Sequence, residues 1–379
     1  MLMSCSGHDG PDAPVTAERT VLVYMVATNS LGTPISSGGI TYEAADEADV
    51  AEMIRAANAV SDGRRLLVFR DRHEGAPALY ELQKDGKMAV VKTYDRSASS
   101  LDKRRMRQII SDARSHAPAP DLGLVLWSHA NGWLQDGKAE SDGASKSLKS
   151  FGIDRSRRMN VTDLADALRG LDLEYIYFDC CLMGSVEVIY ELRGCAPYIA
   201  ASTSELPRPG MPYDLTLDAL LSGAPEGIVR AARATFDYYR DHEDPLFRTC
   251  TMSVFSTDGM DRLAEVTRMI YDGAPLPHPG NPVTNYNATA SSGYWMDFGE
   301  YAEALAELPG RDATLAERFR HTLDAVVIYK DATPRLWDRY PVYHNSGMST
   351  YVFNEAAGFD KQNYNTLSWA RDVVSAHIK

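Results

Sequence analysis

The sequence predicts an α/β protein with a mostly parallel central sheet covered by helices on both faces. Short apolar runs rich in β-forming residues alternate with amphipathic helical patterns through the first half of the chain. Two of them, Leu122-Gly123-Leu124-Val125-Leu126-Trp127 and Tyr175-Ile176-Tyr177-Phe178, are almost wholly apolar, as strands buried on both faces must be. Each is followed at once by polar, reactive side chains, and in sheets of this kind ligands gather at the carboxyl ends of the strands.

The elements follow in order. Thr20-Val21-Leu22-Val23-Tyr24-Met25-Val26-Ala27 is a first strand closed by Asn29-Ser30, and an acidic amphipathic helix follows around 43 to 60. Arg65-Leu66-Leu67-Val68-Phe69-Arg70 is the next strand. Tyr80-Glu81-Leu82-Gln83 and Ala89-Val90-Val91-Lys92 flank Lys84-Asp85-Gly86-Lys87, a hairpin turn. A second helix is expected near 101 to 115. After the strand ending at Trp127, residues 134 to 160 are rich in Gly, Ser, Asp, Lys and Arg and read as a long exposed loop. A helical pattern resumes at Val161-Thr162-Asp163-Leu164. Beyond Phe178 come a helix at 184 to 193 and a strand, Tyr198-Ile199-Ala200-Ala201. From about 212 onward the pattern is mostly amphipathic helix. It is interrupted by Thr251-Met252-Ser253-Val254-Phe255, by a Gly/Pro/Asn/Tyr-rich stretch at 273 to 298, and by a late strand, Met348-Ser349-Thr350-Tyr351-Val352-Phe353. Tyr286, Tyr294 and Trp295 in that stretch read as a satellite core rather than a peptide groove.

Composition narrows the function. The 379 residues, 44% hydrophobic and 24% charged, suffice for a sizeable core. The formal charge of −13, from 52 acidic against 39 basic residues, disfavours nucleic acid and anionic membrane and favours basic ligands or peptides. Cysteines stand at 5, 180, 181, 195 and 250, an odd set without zinc-ribbon or redox spacing, so a disulfide scaffold is not expected. His242-Glu243-Asp244 resembles a metal cluster only superficially, because adjacent residues on a helix point different ways, and no metal site is assigned. No GxSxG elbow, GxGxxG turn or P-loop occurs. No apolar run reaches the roughly 18 residues of a membrane span.

The first residues, Met1-Leu2-Met3-Ser4-Cys5-Ser6-Gly7, are similar to the tail of a bacterial lipoprotein signal, in which a small residue precedes a lipid-bearing cysteine and a polar tether follows. Its basic and apolar portions are missing. Residues 1–19 are therefore read as a tether with Cys5 as candidate lipid anchor, and 20–379 as one domain with a helical C-terminal extension.

The strand ends carry the chemistry. Trp127-Ser128-His129-Ala130-Asn131-Gly132 closes one central strand and Asp179-Cys180-Cys181-Leu182-Met183-Gly184 closes the other, so a histidine and a cysteine face one crevice. A thiolate is the better nucleophile, and an adjacent imidazole lowers the thiol pKa and later protonates the leaving amine. The pleat turns Asp179 and Cys181 to one side and Cys180 to the other, beneath the following helix, which selects Cys181 as nucleophile with His129 as its proton-transfer partner. Cys195 and Cys250 receive no role.

On these segments the chain resembles the clostripain family of cysteine peptidases, in the clan of caspases, gingipains and separase. The likeness runs over roughly residues 20 to 370. It rests on Leu124 to Trp133, on Phe178 to Gly184 with Val186-Glu187, on Ser204-Glu205 to Gly210-Met211-Pro212-Tyr213, and on Ser346 to Tyr351. The resemblance implies a caspase-like sandwich, a His/Cys dyad, cleavage after Arg or Lys, and activation by cleavage in the loop at 134–160. Of the basic residues there, Lys138, Lys146, Lys149 and Arg155, the family position falls closest to Lys146 or Lys149. It implies an oxyanion hole from the backbone N–H groups of Ala130 and Cys181. Asp179, beside Cys181, would pair with a basic substrate side chain.

Two positions depart from the family pattern. Ala130 stands where glycine is usual, and Pro209, after Arg208, stands where a second acid is usual; Glu205 is the nearest substitute. The expected function is thus a monomeric bacterial endopeptidase of the envelope or secreted, acting on proteins or peptides without nucleic acid. It touches membrane only through a lipid anchor and needs no organic cofactor, though some relatives use calcium. The alternative is a weakened or inactive scaffold kept as a surface binding module.

Overall fold

Strand β1 (Arg19–Ala27) sends Leu22, Tyr24 and Val26 into one apolar core and Val21, Val23, Met25 and Ala27 into another. Strict alternation of side chains along a strand means that an all-apolar strand must be covered twice. The computed structural model describes residues 16–37, 40–134, 151–272, 274, 283–286, 295–352 and 361–374. Cys5 and the loop lysines Lys138, Lys146 and Lys149 lie outside the described residues, as does Tyr294.

Among the described residues the central sheet contains nine strands. After β1 come β2 (Arg64–Arg72), β3 (Ala78–Leu82), β4 (Met88–Thr93), β5 (Asp121–Trp127), β6 (Tyr175–Asp179), β7 (Tyr198–Ala201), β8 (Thr251–Ser256) and β9 (Val327–Ala332). Their spatial order is β9-β8-β7-β6-β5-β1-β2-β3-β4. The strands from β7 across to β2 are parallel, and β3 and β4 on one edge and β8 and β9 on the other add antiparallel. The β3–β4 hairpin closes where the sequence places it, with Gly86 at φ 83° and the Gln83 N–H donating to the Lys87 carbonyl at 2.9 Å.

One face of the sheet is packed by α1 (Ala45–Arg55), α5 (Tyr213–Leu220) and α6 (Glu226–Arg240). The other is packed by α2 (Lys103–His116), α3 (Val161–Leu168), α4 (Val186–Leu192) and α7 (Met260–Tyr271), with α8 (Phe298–Ala306) and α9 (Leu315–Val326) continuing the layer. Amphipathic patterns account for the helices. Met106, Ile109, Ile110 and Ala113 form the buried stripe of α2, and Asp102 caps it by accepting from the N–H groups of Arg104 and Arg105.

Two elements differ from the sequence reading. Of the loop at 134 to 160, residues 151–159 are not an exposed loop: Phe151–Asp154 and Arg157–Met159 pair as a ribbon. Phe151 is fully buried, and the carboxylate of Asp154 accepts from Thr28 Oγ1 at 2.8 Å and from the Ser100 N–H at 3.1 Å. Polar composition hid this, because the segment is held by one aromatic ring and one buried acid rather than by an apolar run. β9, in the region read as helix, is an edge strand in which Val327 and Tyr329 turn inward and Ile328 and Lys330 outward. The late strand, Ser349–Tyr351, pairs with Trp295–Asp297 outside the central sheet. No helix among the described residues is long and apolar enough to cross a membrane.

Candidate active site

Three strand ends stand level, because Met25 of β1 pairs with Trp127 of β5 and Trp127 with Asp179 of β6. His129 follows Trp127 by two residues and Cys181 follows Asp179 by two. Both line one crevice, together with Trp127, Ala130, Asp179, Glu205 and Arg208.

The His129 carbonyl accepts from the Gly152 N–H at 2.8 Å, so the buried ribbon at 151–159 steadies the histidine backbone. The imidazole Nε2 lies 2.7 Å from Ser30 Oγ. Cys181 is half-buried, and its sulfur accepts from the Leu206 N–H at 3.4 Å. Cys180 is buried in the same apolar core that α4 packs, and burial pushes its thiol well above the ordinary value. Cys195 and Cys250 are also buried, with thiols raised chiefly by burial.

The backbone around the crevice is sharply turned. Leu182, directly after Cys181, sits at φ 62°, a left-handed conformation that costs a branched side chain roughly 1 kcal/mol or more. Hydrogen bonds from the Leu182 N–H to the Ser204 carbonyl at 2.9 Å and from the Gly184 N–H to the Ser202 carbonyl at 2.8 Å hold it there. On the histidine side the left-handed residue is Gly132, at φ 63°. A Cβ there would fall 2.4 Å from the Trp295 ring. Ala130 is not among the left-handed residues, so its methyl group imposes no backbone strain.

Asp179 is buried below the crevice. Its Oδ1 accepts from the Met211 N–H at 2.9 Å and its Oδ2 from the Tyr213 hydroxyl at 3.0 Å. Burial raises its pKa to about 7 against those two hydrogen bonds, with the charge of Glu52 adding to the rise. Asp49 of α1 is raised well above the carboxylate range by burial and by Asp179, although its Oδ2 accepts from Trp127 Nε1 at 2.6 Å. Asp46, Asp49 and Glu52 recur every three residues, which puts them on one face of α1 beneath the strand ends.

Arg208 lines the same crevice. It donates through Nη1 to the Ser30 carbonyl at 3.0 Å and through Nη2 to the Thr33 carbonyl at 2.6 Å. Burial pulls its pKa down, opposed by the charges of Asp46 and Asp49. Glu205 is half-buried at the rim. The sequence reading therefore brought His129, Ala130, Asp179, Cys181 and Glu205 to one place and missed Ser30, Asp49 and Arg208. The three-residue acid spacing along α1 was the available signal for Asp49; nothing local marked Ser30 or Arg208.

Other candidates lie elsewhere. Arg155 is in a tight turn at φ 56°, its guanidinium 3.0 Å from the Asp154 carboxylate. Tyr286 and Trp295 are buried core residues. At His242-Glu243-Asp244 the Asp244 side chain caps a short helical turn. Among the described residues one group of His, Asp and Glu brings donor atoms within 4.8 Å of one another: Asp297, Glu300 and His344. Asp297 already accepts from the N–H groups of Glu300 and Ser346 and from the Tyr286 hydroxyl, so it caps α8, with His344 paired to it at 3.3 Å.

The model of the clostripain family (Peptidase C11) matches residues 23–333. The fold is similar to an inactive zymogen C11 protease from Parabacteroides distasonis, at 28% identity and a TM-score of 0.77, over 95% of this chain and 99% of that one. It is similar also to a secreted C11 cysteine protease from Bacteroides thetaiotaomicron in complex with an irreversible peptide inhibitor. That match has 25% identity and a TM-score of 0.76, over 96% of this chain and 100% of that one. No curated protein matches the chain. A family match spanning most of the sequence, on a fold shared from end to end with proteases of that family, makes this chain a cysteine protease of the clostripain family.

Proposed function

We propose that the protein hydrolyses peptide bonds after Arg or Lys, with Cys181 as nucleophile and His129 as its proton carrier. The observation that carries this reading is the crevice at the level ends of β5 and β6, lined by both side chains. His129 takes the thiol proton, the Cys181 sulfur attacks the scissile carbonyl, and the resulting oxyanion accepts from the backbone N–H groups of Ala130 and Cys181. His129 then gives its proton to the departing amine. Water, deprotonated by the same imidazole, hydrolyses the thioester and returns the thiol.

The basic preference rests on Asp179 and Glu205, two acidic residues among those that line the crevice. An arriving guanidinium or ammonium favours the ionised form of Asp179 and so strengthens its own binding site. Peptide inhibition of the Bacteroides thetaiotaomicron protease supports a peptide substrate. The zymogen form of the Parabacteroides distasonis protease supports synthesis as an inactive precursor, opened by cleavage at Lys146 or Lys149. Secretion of the Bacteroides thetaiotaomicron protease, with the residues around Cys5, supports work outside the cytoplasm, anchored by lipid at Cys5 or released.

The test is hydrolysis of Arg, Lys and neutral fluorogenic peptides by wild type and by Cys181→Ala, before and after trypsin treatment and with or without a calcium chelator. Turnover of the basic peptides, abolished by Cys181→Ala, is the expected result. Equal turnover by both proteins sinks the assignment, and equal turnover of neutral and basic peptides sinks the preference. Amino-terminal sequencing of incubated protein locates self-cleavage.

A further inference from the structure

We infer that Ser30 is a positioning residue for His129: its hydroxyl holds the imidazole through Nε2 and leaves Nδ1 to exchange the proton with Cys181. This rests on the dyad proposed above and adds a member supplied by neither of the strands that bear it.

The contact is set by the sheet. β1 lies beside β5 in parallel register, with Met25 opposite Trp127, so the turn that leaves β1 passes alongside the segment that leaves β5. Ser30 sits in that turn and its Oγ is 2.7 Å from Nε2 of His129.

The turn is fixed from below by Asn29, which is 8% exposed. Its Nδ2 donates to the carbonyls of Val26 and Ile153, each at 2.8 Å, and its Oδ1 accepts from the Leu31 N–H at 2.9 Å. From the crevice side Arg208 grips the same turn through the Ser30 and Thr33 carbonyls. The Ser30 backbone is therefore held on both sides, and its hydroxyl is delivered to the ring by a braced turn rather than by a loose loop.

A hydroxyl suits the task because its oxygen can accept from a ring N–H. In the neutral ring the one proton is on Nε2, and Ser30 accepts from it. When Nδ1 takes the thiol proton both nitrogens bear hydrogen, and Ser30 still accepts from Nε2–H. The ring keeps one orientation through both protonation states, which is the role of the third group in a nucleophile–base pair. The titratable and charged groups that line the crevice with His129 are Cys180, Cys181, Asp179, Glu205 and Arg208, and His73 stands 3.0 Å from the Asn29 carbonyl of the same turn. A change at Ser30 leaves all of them in place.

The experiment measures kcat, KM and the pH profile of kcat/KM on an Arg peptide for trypsin-treated wild type, Ser30→Ala, Ser30→Thr and Cys181→Ala. Removing one hydrogen bond to the ring lowers kcat about tenfold in Ser30→Ala with KM nearly unchanged. It also moves the alkaline limb, where the imidazolium is lost, down by about half a pH unit. Ser30→Thr, which keeps a hydroxyl, restores kcat to within about threefold of wild type. A Ser30→Ala enzyme with wild-type kcat and an unmoved alkaline limb overturns the inference, and so does a threonine variant as slow as the alanine one. Wild-type protein that is inactive, or indifferent to Cys181→Ala, overturns the dyad itself and the inference with it.

Discussion

Tyr213 donates its hydroxyl to Oδ2 of Asp179 at 3.0 Å, from the first residue of the helix that covers the crevice floor. That bond favours the ionised carboxylate and works against the burial that raises the Asp179 pKa to about 7. Removing it in Tyr213→Phe pushes the Asp179 pKa higher still. KM for an Arg peptide at neutral pH should then rise about tenfold, with kcat within about twofold, since one hydrogen bond to a charged group is worth roughly 1.5 kcal/mol or more net of solvent. Steady-state kinetics on Arg and neutral peptides measure it, and a KM unchanged for Arg removes Asp179 from substrate recognition.

The raised pKa of Asp179 also sets a pH dependence with opposite signs for binding and for stability. The carboxyl is protonated in the folded protein at pH values where it is already ionised in the unfolded chain, so the folded state binds more protons and stability falls as pH climbs from the ordinary carboxylate range to about 7. Asp49, raised by burial and by the Asp179 charge, adds to that loss. Binding of a basic side chain improves over the upper part of the same range, as Asp179 ionises. KM for Arg peptides should fall between about pH 6 and 8 while that for neutral peptides stays level. Asp179→Asn should flatten both trends, which thermal melts and kinetics across pH will check.

Gly210 carries a steric condition. Its φ is 69°, and a Cβ there would stand 2.9 Å from Oδ1 of Asp179. Gly210→Ala combines left-handed strain with displacement of a buried carboxylate, at a cost of about 1–3 kcal/mol. A lower melting temperature together with a higher KM for Arg peptides is expected, and a variant with wild-type melting temperature and KM counts against it.

Asp297 bears on stability away from the crevice. It is wholly buried, and burial raises its pKa. Hydrogen bonds from His344, from the Glu300 and Ser346 N–H groups and from the Tyr286 hydroxyl outweigh that and hold it below the usual range. Asp297→Ala strands those donors and should cost about 2–4 kcal/mol in chemical denaturation. The paired carboxylate in turn raises the His344 pKa. Its stabilisation is therefore complete below the unfolded histidine value, roughly 6.5, and is lost as pH rises through the raised folded value. The stability gap between wild type and His344→Gln should narrow over that interval; a gap constant with pH excludes the charged pair.

The helices and strands of the central layers were legible because β1, β5 and β6 are apolar except at their ends and α2 at one face, patterns that local periodicity reports directly. The ribbon at 151–159 and β9 were not, because each is held by long-range partners: Asp154 by Thr28 and Ser100, and β9 by the β8 ladder. In the crevice, His129 and Cys181 could be named from their positions after two apolar strands. The acid spacing of α1 marks a face that carries Asp49, but that this face meets Trp127 is a long-range contact.

By itself the sequence determined the α/β class, the family and the two strand ends on which a cysteine and a histidine are carried, because apolar runs and short motifs are local properties of the chain. Only the tertiary structure decided what surrounds them. The level register of Met25, Trp127 and Asp179 brings the Ser30 turn to the His129 ring. The packing of α1 and α5 buries Asp49 and Asp179 together. Arg208 reaches the carbonyls of Ser30 and Thr33, far from it in sequence. Hydrogen-bond geometry and burial depend on distances that folding alone creates.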